Sequence, residues 1–312
     1  MSDSAPSILS DQASETTPAR ETTITLYRGW LDPGKYVWSP FVIKLETRFR
    51  FDGLQYRTAC GSPRESPNGK IPYIEYRGPR MPHDAIPVRN EENGLRVWRL
   101  GDSTQITTEL ILSRDCGSAT KNPVLWSLSA PEKALDLSLR ALLENKLCFY
   151  HTRERWIDNY YAMRDHVLWN LSYPMRVVVG WFIYRKQVTL LHDQGTGRFE
   201  SRDITRFKEE IWETISNALA EVVNIRKQHA RASGRDDGSG SDREPFWFLG
   251  GKEPTEVDAT LYGFIVSVLI CTAAPESQSI VRKFPVLIDY ASRIHDKYFS
   301  EYEKWDMPQD SE

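Results

Sequence analysis

Apolar and polar positions alternate at Ile24-Thr25-Leu26-Tyr27, the period of a half-buried strand. A turn-prone stretch with Asp32-Pro33-Gly34 follows, and Ser39-Pro40 then opens a pattern of helical period. Serine is favoured at an N-cap and proline at the first helical position. Phe41, Leu45 and Phe49 recur at i, i+4 and i+8. They predict one apolar face on a helix through Asp52, stopped by Gly53. The patterns at 54–58, 71–76 and 95–100 predict three more strands, and 103–114 a second helix. Between the last two strands, 78–94 carries Pro79, Pro82, Pro87 and an Asn93-Gly94 turn, and reads as a long hairpin excursion. The order is therefore β-α-β followed by β-β-α.

Beyond a Gly/Ser/Pro-bearing linker at 115–130, helical period dominates. The segment 131–158 is amphipathic, with Leu135, Leu139, Leu142 and Leu143 on its apolar side. Segments 159–187 and 204–232 continue the pattern. A Ser/Gly/Asp-rich loop at 232–244 is expected to be flexible, its charges facing solvent. Further helices are expected at 258–273 and 284–298. Thr255-Glu256-Val257-Asp258 reads as a capping box, with Thr255 at the cap and Asp258 reaching back to it. The apolar runs 177–184 and 261–274 fall short of the roughly 18 residues a membrane span needs, so both are expected to be buried core helices. Residues 1–22 are polar, lack the apolar core of a secretory signal, and read as a disordered lead-in. The chain thus divides into 1–22, a mixed domain at 23–114, the linker 115–130, a helical domain at 131–305 and a tail at 306–312.

Composition narrows the chemistry. At 312 residues the chain can bury a sizeable core, and a net charge of -3 gives no basic footprint for nucleic acid. Ten Trp and fourteen Tyr suit helices packed through bulky side chains. Cys60, Cys116, Cys148 and Cys271 are widely spaced, which fits neither a disulfide framework nor a zinc site and points to a reducing, intracellular compartment. The six His show no ligand spacing, so no metal is expected. No G-x-G-x-x-G, P-loop or nucleophile elbow occurs, so nucleotide cofactors and that hydrolase class are not expected.

Gly69-Lys70-Ile71-Pro72-Tyr73-Ile74 stands out because proline interrupts a strand-like run. Proline cannot donate to a sheet ladder, and a short strand entered through an X-Pro bond suits a cis peptide. Such an entry leaves the preceding N–H and C=O free to pair with an extended peptide. Asp102-Ser103 at a helix start adds a carboxylate, a hydroxyl and free helix N–H groups. Together these are the groups needed to hold a γ-glutamyl peptide such as glutathione.

In this order and with these motifs, residues 24–305 resemble the glutathione S-transferase-like superfamily. The resemblance implies an α+β thioredoxin-like domain followed by an all-α domain. Ser39-Pro40-Phe41 sits where the family's active-site loop enters its first helix. Lys70-Ile71-Pro72-Tyr73-Ile74 resembles its cis-proline strand, and Asp102-Ser103 its pair that grips the γ-glutamyl end. Phe248-Leu249-Gly250-Gly251-Lys252-Glu253-Pro254-Thr255 and Lys283-Phe284-Pro285-Val286-Leu287 are similar to the failed axon connections and metaxin-like branch. The 78–94 excursion is longer than the family's hairpin.

The resemblance implies glutathione as co-substrate. Lys70, Ile71, Pro72, Asp102 and Ser103 would hold it, and Ser39 would donate a hydrogen bond to its sulfur. Tyr27, at the end of the first strand, is the alternative donor. Each has a plainer reading: Ser39, Asp102 and Ser103 as helix caps, Pro72 as structure, Tyr27 as strand packing, Lys70 as an exposed base. Where relatives exchange disulfides this loop carries two thiols; Ser39 and Val42 replace them, which argues against that activity. Tyr36 and Trp38 either line the site or pack on the helical domain. Arg153, Arg155 and Trp156 either face the interdomain cleft or form a salt-bridged exterior. The expected activity is transfer of glutathione thiolate to a small hydrophobic electrophile. The rival is a non-catalytic protein-interaction module. Family habit implies a homodimer; a cytoplasmic location is expected, with mitochondrial-surface association in the metaxin-like version. No membrane-spanning segment is expected.

Overall fold

The computed structural model describes residues 23–30, 32–78, 86–90, 96–112, 128–232 and 243–306. The lead-in at 1–22, most of the excursion and linker, the loop core at 233–242 and the tail from 307 lie outside these residues. Five strands form one sheet in the order β2-β1-β3-β5-β4: β1 Thr23–Tyr27, β2 Arg57–Ala59, β3 Tyr73–Gly78, β4 Ile86–Asn90 and β5 Arg96–Gly101. β1 and β2 run parallel, joined through α1 (Pro40–Phe51); the other neighbours are antiparallel. β4, inside the predicted excursion, is a strand that the sequence reading missed. It lies at the sheet edge, where Pro87 needs no ladder partner, and the register shifts between Pro87 and Arg89.

The second strand begins later than predicted because the helix before it closes on itself. Gly53 adopts φ 67°, and the Leu54 amide reaches back to the Phe49 carbonyl at 2.9 Å. Leu54 thus completes a helix cap instead of starting a strand. One face of the sheet packs through Ile24, Leu26, Ile74, Tyr76, Trp98 and Leu100 against Leu45 and Phe49 of α1 and Ile106 after it. The predicted α1 stripe divides at Phe41, which packs on Phe264 in the larger core. α1 is buried on nearly every side because it lies between two domains.

α2 (Ser103–Thr107) passes into a π turn at Thr108–Leu112. The helical domain follows as α3 (Ala130–Leu142), α4 (Cys148–Arg153), α5 (Tyr160–Val167), α6 (Tyr173–Gln194), α7 (Ser201–Ala232), α8 (Glu256–Ile270), α9 (Pro275–Arg282) and α10 (Pro285–Tyr298). Two π turns, Leu143–Leu147 and Glu154–Asp158, interrupt the predicted long helix, and each carries an acid to a buried lysine. Glu144 accepts from Lys44 at 2.6 Å, and Glu154 accepts from Lys208 at 2.8 Å. Leu135, expected on the apolar side, is exposed. Its neighbour Asp136 is buried instead, accepting from the Val257 amide at the start of α8 at 2.9 Å.

α8 is the core helix: thirteen successive residues from Val257 to Leu269 are buried. Its capping box forms as read. The Asp258 carboxylate accepts from the Thr255 amide at 2.7 Å and its hydroxyl at 3.1 Å. It also takes the Phe248 amide and the Tyr290 hydroxyl. The other apolar run behaves differently. α6 buries only Gly180 and Leu191, while Val178, Trp181 and Phe182 face outward, correcting the expectation of a core helix at 177–184. No single helix among the described residues is long and apolar enough to cross a membrane.

Candidate active site

Strand register gathers the nominated residues at one end of the sheet. Tyr27 lies beside Tyr73, and Tyr73 beside Gly101. The ends of β1 and β5 and the entry to β3 therefore meet, bringing the segments of Gly29, Ile71-Pro72 and Asp102-Ser103 together. A Cβ on Gly29 would come within 3.2 Å of the Ile71 side chain. α1 begins at the same end: Lys44, in its second turn, donates to Thr104 of α2 at 3.1 Å.

Ile71-Pro72 is a cis peptide bond. Neither the amide nor the carbonyl of Ile71 has a backbone partner among the described residues, as an added extended ligand requires. Lys70 next to it is exposed. Cys148 lies in α4 of the helical domain. Desolvation of the partly buried Cys148 thiol pushes it up to about 11, which leaves it protonated and unreactive.

Asp102 caps α2: one carboxylate oxygen takes the amides of Thr104 and Gln105 at 2.9 and 3.2 Å. It is exposed and the only described non-glycine residue with positive φ, at 70°. A left-handed backbone at an exposed carboxylate is strain kept at a helix N-terminus. Ser103 behind it is buried.

Ser39 occupies the N-cap of α1 with extended backbone, yet its side chain makes no cap hydrogen bond. The hydroxyl is therefore not consumed by the helix. Tyr27 is more committed. Its ring stacks on Tyr73 at 4.4 Å, and burial first, then Glu75, raises its pKa.

The loop leading to Ser39 is fixed by the helical domain. The Trp38 carbonyl accepts from Arg155 at 2.9 Å and Ser267 at 2.6 Å, so Arg155 is an interdomain residue. Arg153, by contrast, stays on the exterior beside Asp158. His166 stacks on Trp38 with centroids 3.4 Å apart and on Trp30 at 5.1 Å. Tyr36 packs into the helical core, its hydroxyl 2.6 Å from that of Tyr262 and 2.7 Å from Nδ1 of His295. Of the two alternatives for Arg155, the cleft-facing one holds; the sequence held no signal for Trp30 or His166, because their roles arise from a contact between distant segments.

A cavity of about 700 Å³ lies elsewhere, between the C-terminal half of α1, the start of β2 and the chain after α10. Arg50, Tyr56, Glu301 and Tyr302 line it, and none of the nominated residues does. Its charges are internally matched: Arg50 pairs with Glu301 at 2.6 Å and donates to Tyr56 at 2.8 Å. No group of three potential metal ligands occurs among the described residues.

A model of the glutathione S-transferase N-terminal domain matches residues 40–163, and one of the C-terminal domain matches 244–294. The "Failed axon connections" protein of Drosophila melanogaster is 23% identical over 284 residues, covering 85% of this chain and 56% of the relative. The chain therefore spans about half the length of that curated relative. Among solved structures, glutathione transferase GSTFuA3 from Phanerochaete chrysosporium is similar with a TM-score of 0.48 at 17% identity, covering 91% of this chain and 99% of its own. Ure2p in complex with glutathione gives 0.45 at 14% identity, covering 89% and 90%.

Proposed function

From the membership of this chain in the glutathione S-transferase-like superfamily, we propose that it binds glutathione at the end of the sheet where β1, β3 and β5 meet. The observation that carries this reading is the pairing of two uncommitted groups there, the Ile71 backbone and the Ser39 hydroxyl. Ile71 pairs with the cysteinyl backbone, Pro72 fixes that edge, Lys70 meets the terminal carboxylate, and Asp102 with Ser103 holds the γ-glutamyl end. Ser39 donates to the sulfur, favours thiolate and orients it toward a small hydrophobic electrophile in the interdomain cleft. Tyr27 is the weaker candidate because its ring is held against Tyr73 and burial raises its pKa, which makes its phenol a poorer donor. A cytoplasmic setting and a homodimer belong to the same reading.

A second reading, a non-catalytic interaction module, draws support from the outward apolar face of α6. Calorimetry with glutathione separates them. Wild-type heat that is lost in Asp102→Asn, which keeps a capping oxygen and removes the charge, supports the site. No heat at millimolar glutathione refutes it. With a thiol-reactive aromatic electrophile, Ser39→Ala is expected to lower kcat/KM about a hundredfold. It is expected to leave the melting temperature nearly unchanged, since no cap bond is lost. A structural serine would show the reverse, a cap loss of about 1 kcal/mol with turnover intact.

A further inference from the structure

α6 is attached by its smallest residue. A Cβ on Gly180 would sit 2.7 Å from the Tyr160 hydroxyl and 2.8 Å from Arg164, so the helix lies close against α5 there. Its bulky apolar residues point the other way. Met175, Val178 and Phe182 follow at three- and four-residue spacing on one exposed face, with Trp181 beside them. Trp181 and Phe182 meet edge to face at 5.0 Å, and Phe182 is 62% exposed. Scattered surface apolar residues need no explanation, but a contiguous bulky patch marks an interaction surface.

Charge selects the occupant. No acidic residue occurs between Tyr173 and His192. A single carboxylate, Asp165, is shared by Arg164 and Arg176. Arg185 and Lys186 are exposed and make no ion pair among the described residues; Arg185 lies over the Trp181 ring at 5.0 Å. Across 160–194, four Lys/Arg stand against two Asp, in a chain whose net charge is -3. A second copy on this face would set unneutralised cations near their own image. An anionic lipid surface would cancel them, and its headgroup boundary accepts Trp rings and long cationic side chains. No single described helix can cross a bilayer, so the geometry is that of a helix lying in the interface plane.

We infer that the outer face of α6 docks on an anionic lipid surface, with Trp181 and Phe182 inserted and Arg185 and Lys186 at the headgroups. The inference stands apart from the glutathione reading. Flotation of the full chain with phosphatidylcholine vesicles, with and without phosphatidylserine, tests it. Binding is expected only with phosphatidylserine and is expected to fall as salt rises. Arg185→Gln with Lys186→Gln is expected to weaken it about thirtyfold, and Trp181→Ser with Phe182→Ser to abolish it. Both double variants should keep the wild-type circular dichroism and glutathione heat. Absence of flotation, or equal flotation with neutral vesicles, overturns the inference. So does a lipid-free dimer in light scattering that Phe182→Ser dissociates, which would assign the face to a second copy.

Discussion

Burial sets the state of individual side chains here, and His151 is the sharpest case. It is 3% exposed, stacks on Trp212 with centroids 6.3 Å apart, and its Nε2 has no hydrogen-bond partner. Burial, followed by the charges of Arg155 and Lys208, holds its pKa well below the ordinary 6.5. The folded state thus binds fewer protons than the unfolded one as pH falls below 6.5. Its contribution is complete above that value and is lost on acidification. His151→Phe removes both the titration and the orphaned nitrogen. It is expected to be neutral within about 1 kcal/mol at about pH 8, and more stable than wild type at about pH 5. Urea midpoints for both proteins at the two pH values check this; a difference independent of pH would mean that the ring's protonation is not coupled to folding. None of this was visible in the sequence, where His151 is one of six histidines without ligand spacing.

At the scale of elements, legibility followed locality. The β1 alternation, the Ser39-Pro40 helix start and the Thr255-Asp258 box are short-range devices, and each appears where it was read. Errors arose where a distant segment decides. The 261–274 run lies mostly in the core helix, while the 177–184 run has its apolar side turned out, because period alone does not say which face is covered. Strand β4 was missed because proline demotes a central strand but suits an edge. Gly263 in α8 makes the same point energetically. In an isolated helix, alanine would be better than glycine by about 1 kcal/mol. Here a Cβ would meet the Pro40 carbonyl at 2.6 Å and the Lys44 amide at 2.9 Å, both backbone atoms of α1. Backbone cannot rotate aside, so the helices must separate and α1 must shift with Ser39. Gly263→Ala is therefore expected to cost about 2 to 3 kcal/mol in chemical denaturation, against its helix propensity. A stabilised variant would show that the α1–α8 contact yields easily.

At the scale of the molecule, α1 belongs to both domains. It completes the core of the sheet through Leu45 and Phe49, and packs Ile43 and Phe51 into the helical core. Its bases cross the same boundary: Lys44, 1% exposed, meets Glu144 at 2.6 Å, and Arg48 meets Glu256 at 3.1 Å. The loop ahead of it is held by Arg155 and Ser267 through Trp38. A first domain that unfolded alone would expose most of α1 and strand two buried anchors. One cooperative transition is expected, with tryptophan fluorescence and far-ultraviolet circular dichroism coinciding along the urea axis. Glu144→Ala leaves the Lys44 ammonium buried without its anion, and is expected to cost about 3 kcal/mol. Because the lysine reaches both α2 and the helical domain, that loss should shift the whole transition without splitting it. Two separated transitions in the wild type would refute the coupling. Two in the variant alone would locate it in this single ion pair, and the position of Ser39 would then depend on one buried charge.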